Sequence, residues 1–353
     1  MRSVVLNKKA IFVDELSAIP SPGYEDLVIK VHAVALTPFD IGVTYDTSSV
    51  LRSTTSARGI GSCFSGEISA AGEGVSRFKV GDAVVGLVSD PFRDFSLCDY
   101  VRISEKLCAM RPDALSQVEA VSVITDGMIA ERALRLAKAC DEDAILITGG
   151  CTPMTRAIIQ ISKCSMFGVE WVASTVSCLD DREYAESIGA DETFDTSCND
   201  GLWSFPFSQG PNTKQYDIVI DVTGESKQAK RLLKPGTGRL VSLFNKATPR
   251  EFLDFNRRVG GQAISRPVEA ILRSRFGNLY TKCSGRMSFA EGRYISVLPT
   301  GDGDVMERLS VLMDAEVLTP CVAKVVSLPD LASVVTELRD NPFGLRGRIV
   351  IEL

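Results

Sequence analysis

Over residues 1–120 apolar and polar positions alternate in short runs broken by turn formers. IPSPGYEDLVIKVHAVAL opens on a Pro/Gly turn and continues as a strand, and FSGEISAAGEGVSRFKVGDAVVGLV reads as two strands joined by glycine turns. This is the pattern of a small β domain. Near Ser116 the period lengthens, and SQVEAVSVITDGMIAERALRLAKA carries apolar residues at helical spacing as far as Cys140. From Asp143 the two periods alternate. AILITGG, VEWVAST, YDIVIDVTG and GRLVSLF read as buried strands, and TRAIIQISKC, CLDDREYAESIGA and SKQAKRLLKPG as the helices between them. Strands separated by helices at this spacing predict a parallel sheet covered on both faces. DTSCNDGLWSFPFSQGPNTKQ, residues 195–215, is dense in turn formers and reads as a surface loop. DVMERLSVLMDAEVL, CVAKVVSL, LASVVTELRD and GRIVIEL then return to helix and strand.

Length and composition fit two domains, each with its own core. The chain has 353 residues, 45% apolar and 24% charged, in the range of ordinary globular proteins. A net charge of −6 gives no reason to expect nucleic acid or an anionic membrane as the main partner. No apolar run approaches the ~20 residues of a membrane span, and MRSVVLNKKAIFVDEL reads directly as strand, without the pattern of a signal peptide. The ten cysteines form no CxxC pair, which suits free thiols in a reducing compartment. A cytoplasmic location is expected, or the mitochondrial matrix if a targeting segment precedes the chain. The single histidine, His32, lies in the alternating strand pattern VIKVHAVAL and reads as structural. A Ser-His-Asp hydrolase would have to use it, and no GxSxG motif accompanies it.

Taken in order, these segments resemble the medium-chain dehydrogenase/reductase superfamily, in its zinc-free quinone and enoyl reductase branch. GEISAAGEGVSRFKVGDAVVG, Gly66 to Gly86, is similar to that family's glycine turn followed by FKxGDxVxG. LTPFDIG, SIGAD, YDIVIDVTG, GRLVSL and RGRIVIEL add to the likeness, and YISVLPTGDGDVMERLSVLMDAEVLTP resembles reductases related to mitochondrial members of the branch. The resemblance implies an α/β fold, with a Rossmann-type parallel sheet domain over 121–299 and a GroES-like β domain over 1–120 completed by 300–353. Metal-dependent relatives place a cysteine in the segment matching LTPFD and a His-Glu pair in the one matching GSCFSG. Thr37 and Gly61-Ser62-Cys63 stand there instead, so no zinc is expected.

The same resemblance implies a dinucleotide in the cleft at the strand ends. Its phosphate turn would be GGCTPMT, residues 149–155, where relatives read something like GAxGGVG. Gly149 and Gly150 permit a tight turn. Thr152-Pro153 reads as an N-cap followed by proline at the first helical position, which removes one N–H that a pyrophosphate would use. The hydroxyls of Thr152 and Thr155 and the charge of Arg156 are candidate phosphate contacts. After the next strand Ser174 and Thr175 stand where NAD-selective relatives carry an acid, with Arg182 beyond. This favours NADP, although Asp180 and Asp181 weigh against it.

Val222, Thr223 and Gly224 are implied near the ribose, Leu243, Phe244 and Asn245 at the nicotinamide, and Arg348 in place of a lysine near the cofactor. Asp40 and Tyr45 are candidates for the substrate cleft. In ITDGMIAERAL, Thr125 and Asp126 are displaced from the LTA of relatives, and Ile129 replaces an expected hydroxyl. The first expectation is thus an NADPH-dependent reductase of a quinone or an α,β-unsaturated carbonyl compound. The second is a reductase-like protein with weakened cofactor binding that serves as a structural or assembly component. Relatives commonly dimerise, so a homodimer is expected, and the basic segment 250–286 is a candidate surface for a protein partner.

Overall fold

The computed structural model describes residues 1–6, 11–14, 18–37, 40, 58–88, 95–196, 215–222, 230–243, 288–289, 292–296, 302–341 and 345–353. The chain divides into two compact units, Met1–Met128 with Pro299–Leu353, and Ile129–Leu298. The first unit holds β1 (Ser3–Leu6), β2 (Ile11–Asp14), β3 (Asp26–Leu36), β4 (Arg58–Gly59), β5 (Cys63–Ala71), β6 (Ala83–Leu87), β7 (Tyr100–Ser104) and β8 (Cys108–Met110). Helix α1 (Gln117–Ala137) begins in the first unit and ends in the second. The second unit continues with β9 (Ala144–Thr148), α2 (Pro153–Lys163), β10 (Trp171–Val176), α3 (Leu179–Ser187), β11 (Glu192–Asp195), β12 (Ile218–Asp221), β13 (Arg239–Ser242), β14 (Ser288–Phe289) and β15 (Gly292–Ser296). The chain returns to the first unit with α4 (Gly303–Asp314), β16 (Val322–Ser327), α5 (Leu331–Asp340) and β17 (Arg348–Glu352).

In the first unit β3 is the hub. It pairs antiparallel with β5, β7 and β17, so nearly every side chain of DLVIKVHAVAL is buried, whereas a strand with one wet face would bury every second one. The main sheet runs β16-β17-β3-β5-β6-β8, and β2-β1-β4 forms a smaller one. Leu27, Ile29, Phe64, Ile68, Val334, Ile349 and Ile351 meet in its core. Each large apolar side chain buried there contributes about 1.5–3 kcal/mol.

Helix α1 is buried on nearly all sides from Ala120 to Leu134, so its polar members need partners. Glu131 accepts from Arg135 Nε at 3.0 Å, one turn on. Asp126 accepts from Arg348 Nε at 2.7 Å and from Nη2 as well, a bidentate pair with both side chains buried. The guanidinium of β17 thereby ties the C-terminal strand to α1. Burial works against the charge of Arg348, yet Asp126 outweighs it and holds the pKa of Arg348 above its usual value.

In the second unit the sheet order is β11-β10-β9-β12-β13-β15-β14, parallel throughout except for the β14–β15 pair. Counting its first six parallel strands in chain order gives 3-2-1-4-5-6, the doubly wound Rossmann arrangement. The order reverses at β9, which has β10 on one side and β12 on the other, and a ligand crevice opens beyond the carboxyl ends of strands at such a reversal. Of SKQAKRLLKPG, read as a helix, the described part is a 3-10 turn at Lys230–Leu232. Leu232 and Leu233 pack there on Leu146, Val219 and Leu240 under the sheet.

Replacing Asp126 by Asn leaves a buried guanidinium without its counter-charge. The variant is expected to lose about 3–5 kcal/mol of stability, read as a lower urea midpoint of the full chain.

Candidate functional site at the turn after the first parallel strand

The turn after β9 is built on two left-handed residues, Gly149 at φ 132° and Gly150 at φ 63°. A Cβ added to Gly149 would lie 2.8 Å from Cβ of Val222, at the end of the neighbouring strand β12, and 3.4 Å from Thr155 Oγ1. The Val222 Cβ cannot retreat without moving backbone, so a side chain at Gly149 would clash there. Gly150 has open space, its nearest neighbour being Ser177 Oγ at 4.0 Å from such a Cβ. The amide of Gly149 donates to Thr175 Oγ1 at 3.1 Å, which anchors the turn to β10. On the other side Thr148 Oγ1 donates to Asp221 at 3.1 Å, which anchors it to β12.

Helix α2 then starts as its sequence predicts. Thr152 is the N-cap, its hydroxyl accepting from Thr155 N–H at 3.2 Å, and Pro153 follows in the first turn. The two threonine hydroxyls also bond each other at 3.0 Å, and both residues are buried. Their side chains are therefore absorbed inside the fold and are not presented to a ligand. Arg156 turns toward α3 and donates from Nη1 to the Tyr184 hydroxyl at 2.6 Å. Cys151 donates to Asp181 O at 3.0 Å. Of the amides in this turn, those of Gly149 and Thr155 are engaged and Pro153 has none. Those of Gly150, Thr152 and Met154 donate to no acceptor among the described residues. The first turn of α2 carries no acidic residue, so the dipole at this helix start is not offset.

This arrangement fits a dinucleotide diphosphate at the backbone: a glycine where the main chain must stay bare, and unengaged amides at a helix start beside the reversal of strand order. It does not bring all the sequence-predicted side chains to that point. Ser174 and Thr175 are buried, Ser174 donating to Thr175 O at 3.2 Å and Thr175 holding Gly149. The reason is that β10 runs to Val176, so both residues still lie in the ladder, and Ser177 is the first position beyond it. Ser177 and Arg182 are exposed, and Ser177 Oγ donates to Asp181 Oδ2 at 2.7 Å. Sequence reading missed Ser177 because it placed the strand end too early. It missed Tyr184 because a tyrosine in a polar-faced helix gives no sign of an arginine partner. Val222 is buried against the turn, and Leu243 is half-buried with its amide donating to Asp221 O at 2.8 Å. Tyr45, Thr223, Gly224, Phe244, Asn245 and the segment 250–286 lie outside the described residues.

In the first unit, Asp40 and Arg348 belong to one buried cluster with Thr37, Ser62, Cys63, Thr125 and Asp126. Asp40 accepts from Thr37 N–H at 2.8 Å and from Thr37 Oγ1 at 2.6 Å. Burial raises the pKa of Asp40, against the pull of these hydrogen bonds and of Arg348. Burial and the neighbouring Asp40 push the Cys63 thiol up to about 12, so it stays protonated and donates to Ala35 O at 3.4 Å. Arg348 is tied to Asp126 by the two nitrogens of one edge. Among the described residues no three His, Cys, Asp or Glu side chains gather as a metal site would require. No helix among them is long and apolar enough to cross a membrane.

Residues 23–141 match the alcohol dehydrogenase GroES-like domain family. A 2-methylene-furan-3-one reductase of Solanum lycopersicum is 30% identical over 67% of this chain, and the chain spans 59% of that relative's length. A mitochondrial NAD(P)H oxidoreductase of Danio rerio is 26% identical over 96% of this chain and 86% of its own. Among solved structures, the quinone oxidoreductase from Coxiella burnetii superposes with a TM-score of 0.77, covering 100% of this chain and 99% of that one, at 22% identity, a likeness of fold. A GroES-like domain in the first unit and the 3-2-1-4-5-6 order in the second are the two halves of one build. The chain belongs to the medium-chain dehydrogenase/reductase superfamily, in its quinone and enoyl reductase branch.

Proposed function

We propose that the protein is an oxidoreductase that uses NADPH to reduce a quinone or an α,β-unsaturated carbonyl compound. The observation that carries this reading is the bare turn at Gly149 with the unengaged amides of Gly150, Thr152 and Met154. The threonines that replace glycine are both folded inward, so their bulk does not cover these amides. When bound, the cofactor supplies hydride. The chain's part is to hold the diphosphate on main-chain N–H groups and to keep the site in a fixed geometry, so an obligatory acid or nucleophile is not required of it. Arg182, exposed beyond β10, supplies a positive charge for a 2′-phosphate. The names of relatives support a nicotinamide cofactor, since the Danio rerio protein is an NAD(P)H oxidoreductase.

A second reading has its own observation. Pro153 removes one donor, and Arg156, in the first turns of α2, is turned to Tyr184. A protein of this kind would keep the scaffold and hold cofactor weakly, as a structural component would.

Fluorescence titration of the full chain, read from Trp171 and Trp203, separates the two readings. Saturable quenching by micromolar NADPH is expected, and silence up to millimolar cofactor would sink the reductase reading in favour of the scaffold. Replacing Arg182 by Ala is expected to weaken NADPH by roughly tenfold, about 1.4 kcal/mol, and to leave NADH unchanged. Equal effects on both cofactors would remove Arg182 from the 2′-phosphate. The glycines should differ as well: Gly149→Ala is expected to lower stability by about 1–3 kcal/mol through strain and clash and to abolish NADPH binding. Gly150→Ala, in open space, is expected to cost about 1 kcal/mol. Thermal unfolding and the same titration check both.

A further inference from the structure

The start of α3 carries a hydroxyl that neither the core nor the cofactor contacts use. Ser177 is exposed, one step past the end of β10, and its Oγ donates to Asp181 Oδ2 at 2.7 Å. The phosphate turn stands beside it: a Cβ built on Gly150 would lie 4.0 Å from Ser177 Oγ and would meet nothing closer. Two further contacts hold these turns side by side. Gly149 N–H bonds Thr175, and the Cys151 thiol bonds Asp181 O. In sequence, SCLDDRE places Asp180 and Asp181 three and four positions after the serine, both in the first turn of α3. Asp181 is 9% exposed and its main chain is tied to Cys151, so it has little room to move aside.

We propose that Ser177 is a phosphorylation site whose phosphoryl group takes the place of the cofactor's diphosphate at the amides of Gly150, Thr152 and Met154. This regulation of the site rests on the reductase reading. A protein serine kinase directed by acidic residues supplies the group from ATP. The bond from Oγ to the γ-phosphorus forms, the bond from that phosphorus to its bridging oxygen breaks, ADP leaves, and the serine proton passes to a base of the kinase. Charge then decides where the product turns. The hydrogen that Asp181 accepted is gone, and a group of about −1.5 to −2 charge is repelled by the same carboxylate. On its other side lie unengaged N–H groups at a helix start, where an anion is favoured. Arg182, exposed in α3, adds a positive charge nearby. The phosphoserine therefore leaves Asp181 for Gly150, and one covalent group engages both features that would hold NADPH.

Treating the folded full chain with ATP and an acid-directed serine kinase, followed by tryptic mass spectrometry, tests the site. Phosphate is expected on Ser177, and the corresponding peptide of Ser177→Ala is expected to stay unmodified. A chain left without phosphate at Ser177 would overturn the inference. Phosphoserine installed at position 177 during translation gives a second readout by 31P titration. Its second pKa is expected below that of phosphoserine in the peptide SCLDDRE, which carries the same acids and arginine but lacks the amides of the turn. A value equal to or above the peptide's overturns the inference, since the phosphoryl group would then not be on those amides. NADPH is expected to bind the phosphorylated chain roughly 10²-fold more weakly, a loss of about two charge-assisted contacts. Undiminished binding overturns this inference and spares the reductase reading. Failure of the unmodified chain to bind NADPH, with the 31P value still lowered, overturns that reading and leaves the phosphoryl group on the turn.

Discussion

The close approach of β9 to the end of β12 governs the second unit. β9 and β12 stay paired in parallel as far as Thr148 and Asp221, and the chain leaving β9 must pass Val222 with 2.8 Å between that side chain and any Cβ at position 149. Only a residue without a side chain passes. Once Gly149 is fixed, its amide meets Thr175, Thr148 meets Asp221, and the axis of α2 is set by where the turn ends. The same bareness that allows strand and helix to pack also leaves main chain exposed for a phosphate. Packing and binding here impose one requirement, and a glycine at this position is therefore not by itself proof of a ligand. The unengaged amides beyond it are the independent observation.

The residues that depart from the usual glycine pattern divide by where their side chains go. Thr152 and Thr155 look, in sequence, like bulk placed against a phosphate. In the fold they face inward, cap α2 and bond each other, so the bulk is taken up by packing. Pro153 is different, because the loss of its N–H does not depend on any rotamer. The turn therefore keeps its shape and gives up one donor, a smaller change than three replaced glycines imply when read in a line.

Much of the fold was legible because periodicity is a local property. The strand β3, the length of α1 and the alternation from β9 to β13 follow from spacing alone, whereas the burial of β3 on both faces does not, because it comes from pairing with β5, β7 and β17 and the strand reads in sequence as alternating. The strand β11 was not legible: all four residues of ETFD are half-buried, so neither alternation nor an apolar run marks it. At the site, Gly149, Gly150 and the Thr152 cap were readable in seven consecutive residues. Ser174 and Thr175 were read one step short of the strand's end, a boundary set by pairing with β9 and β11 and not by composition. The pair Asp126–Arg348 spans 222 positions, and nothing local announces it. Its one trace in the sequence is an aspartate in the apolar stretch VSVITDGMIA of that helix, where an unpaired charge would not be tolerated.

That trace bears on how the first unit manages without the ligands of its metal-dependent relatives. The positions matching those ligands hold Thr37, Ser62 and Cys63, none of them charged, since burial and Asp40 keep the Cys63 thiol protonated. The positive charge instead arrives on a strand at the far end of the chain, and Asp126 neutralises it from α1. A guanidinium is directional where a metal ion is not: one edge is committed to the carboxylate, and the remaining nitrogen points as the plane dictates.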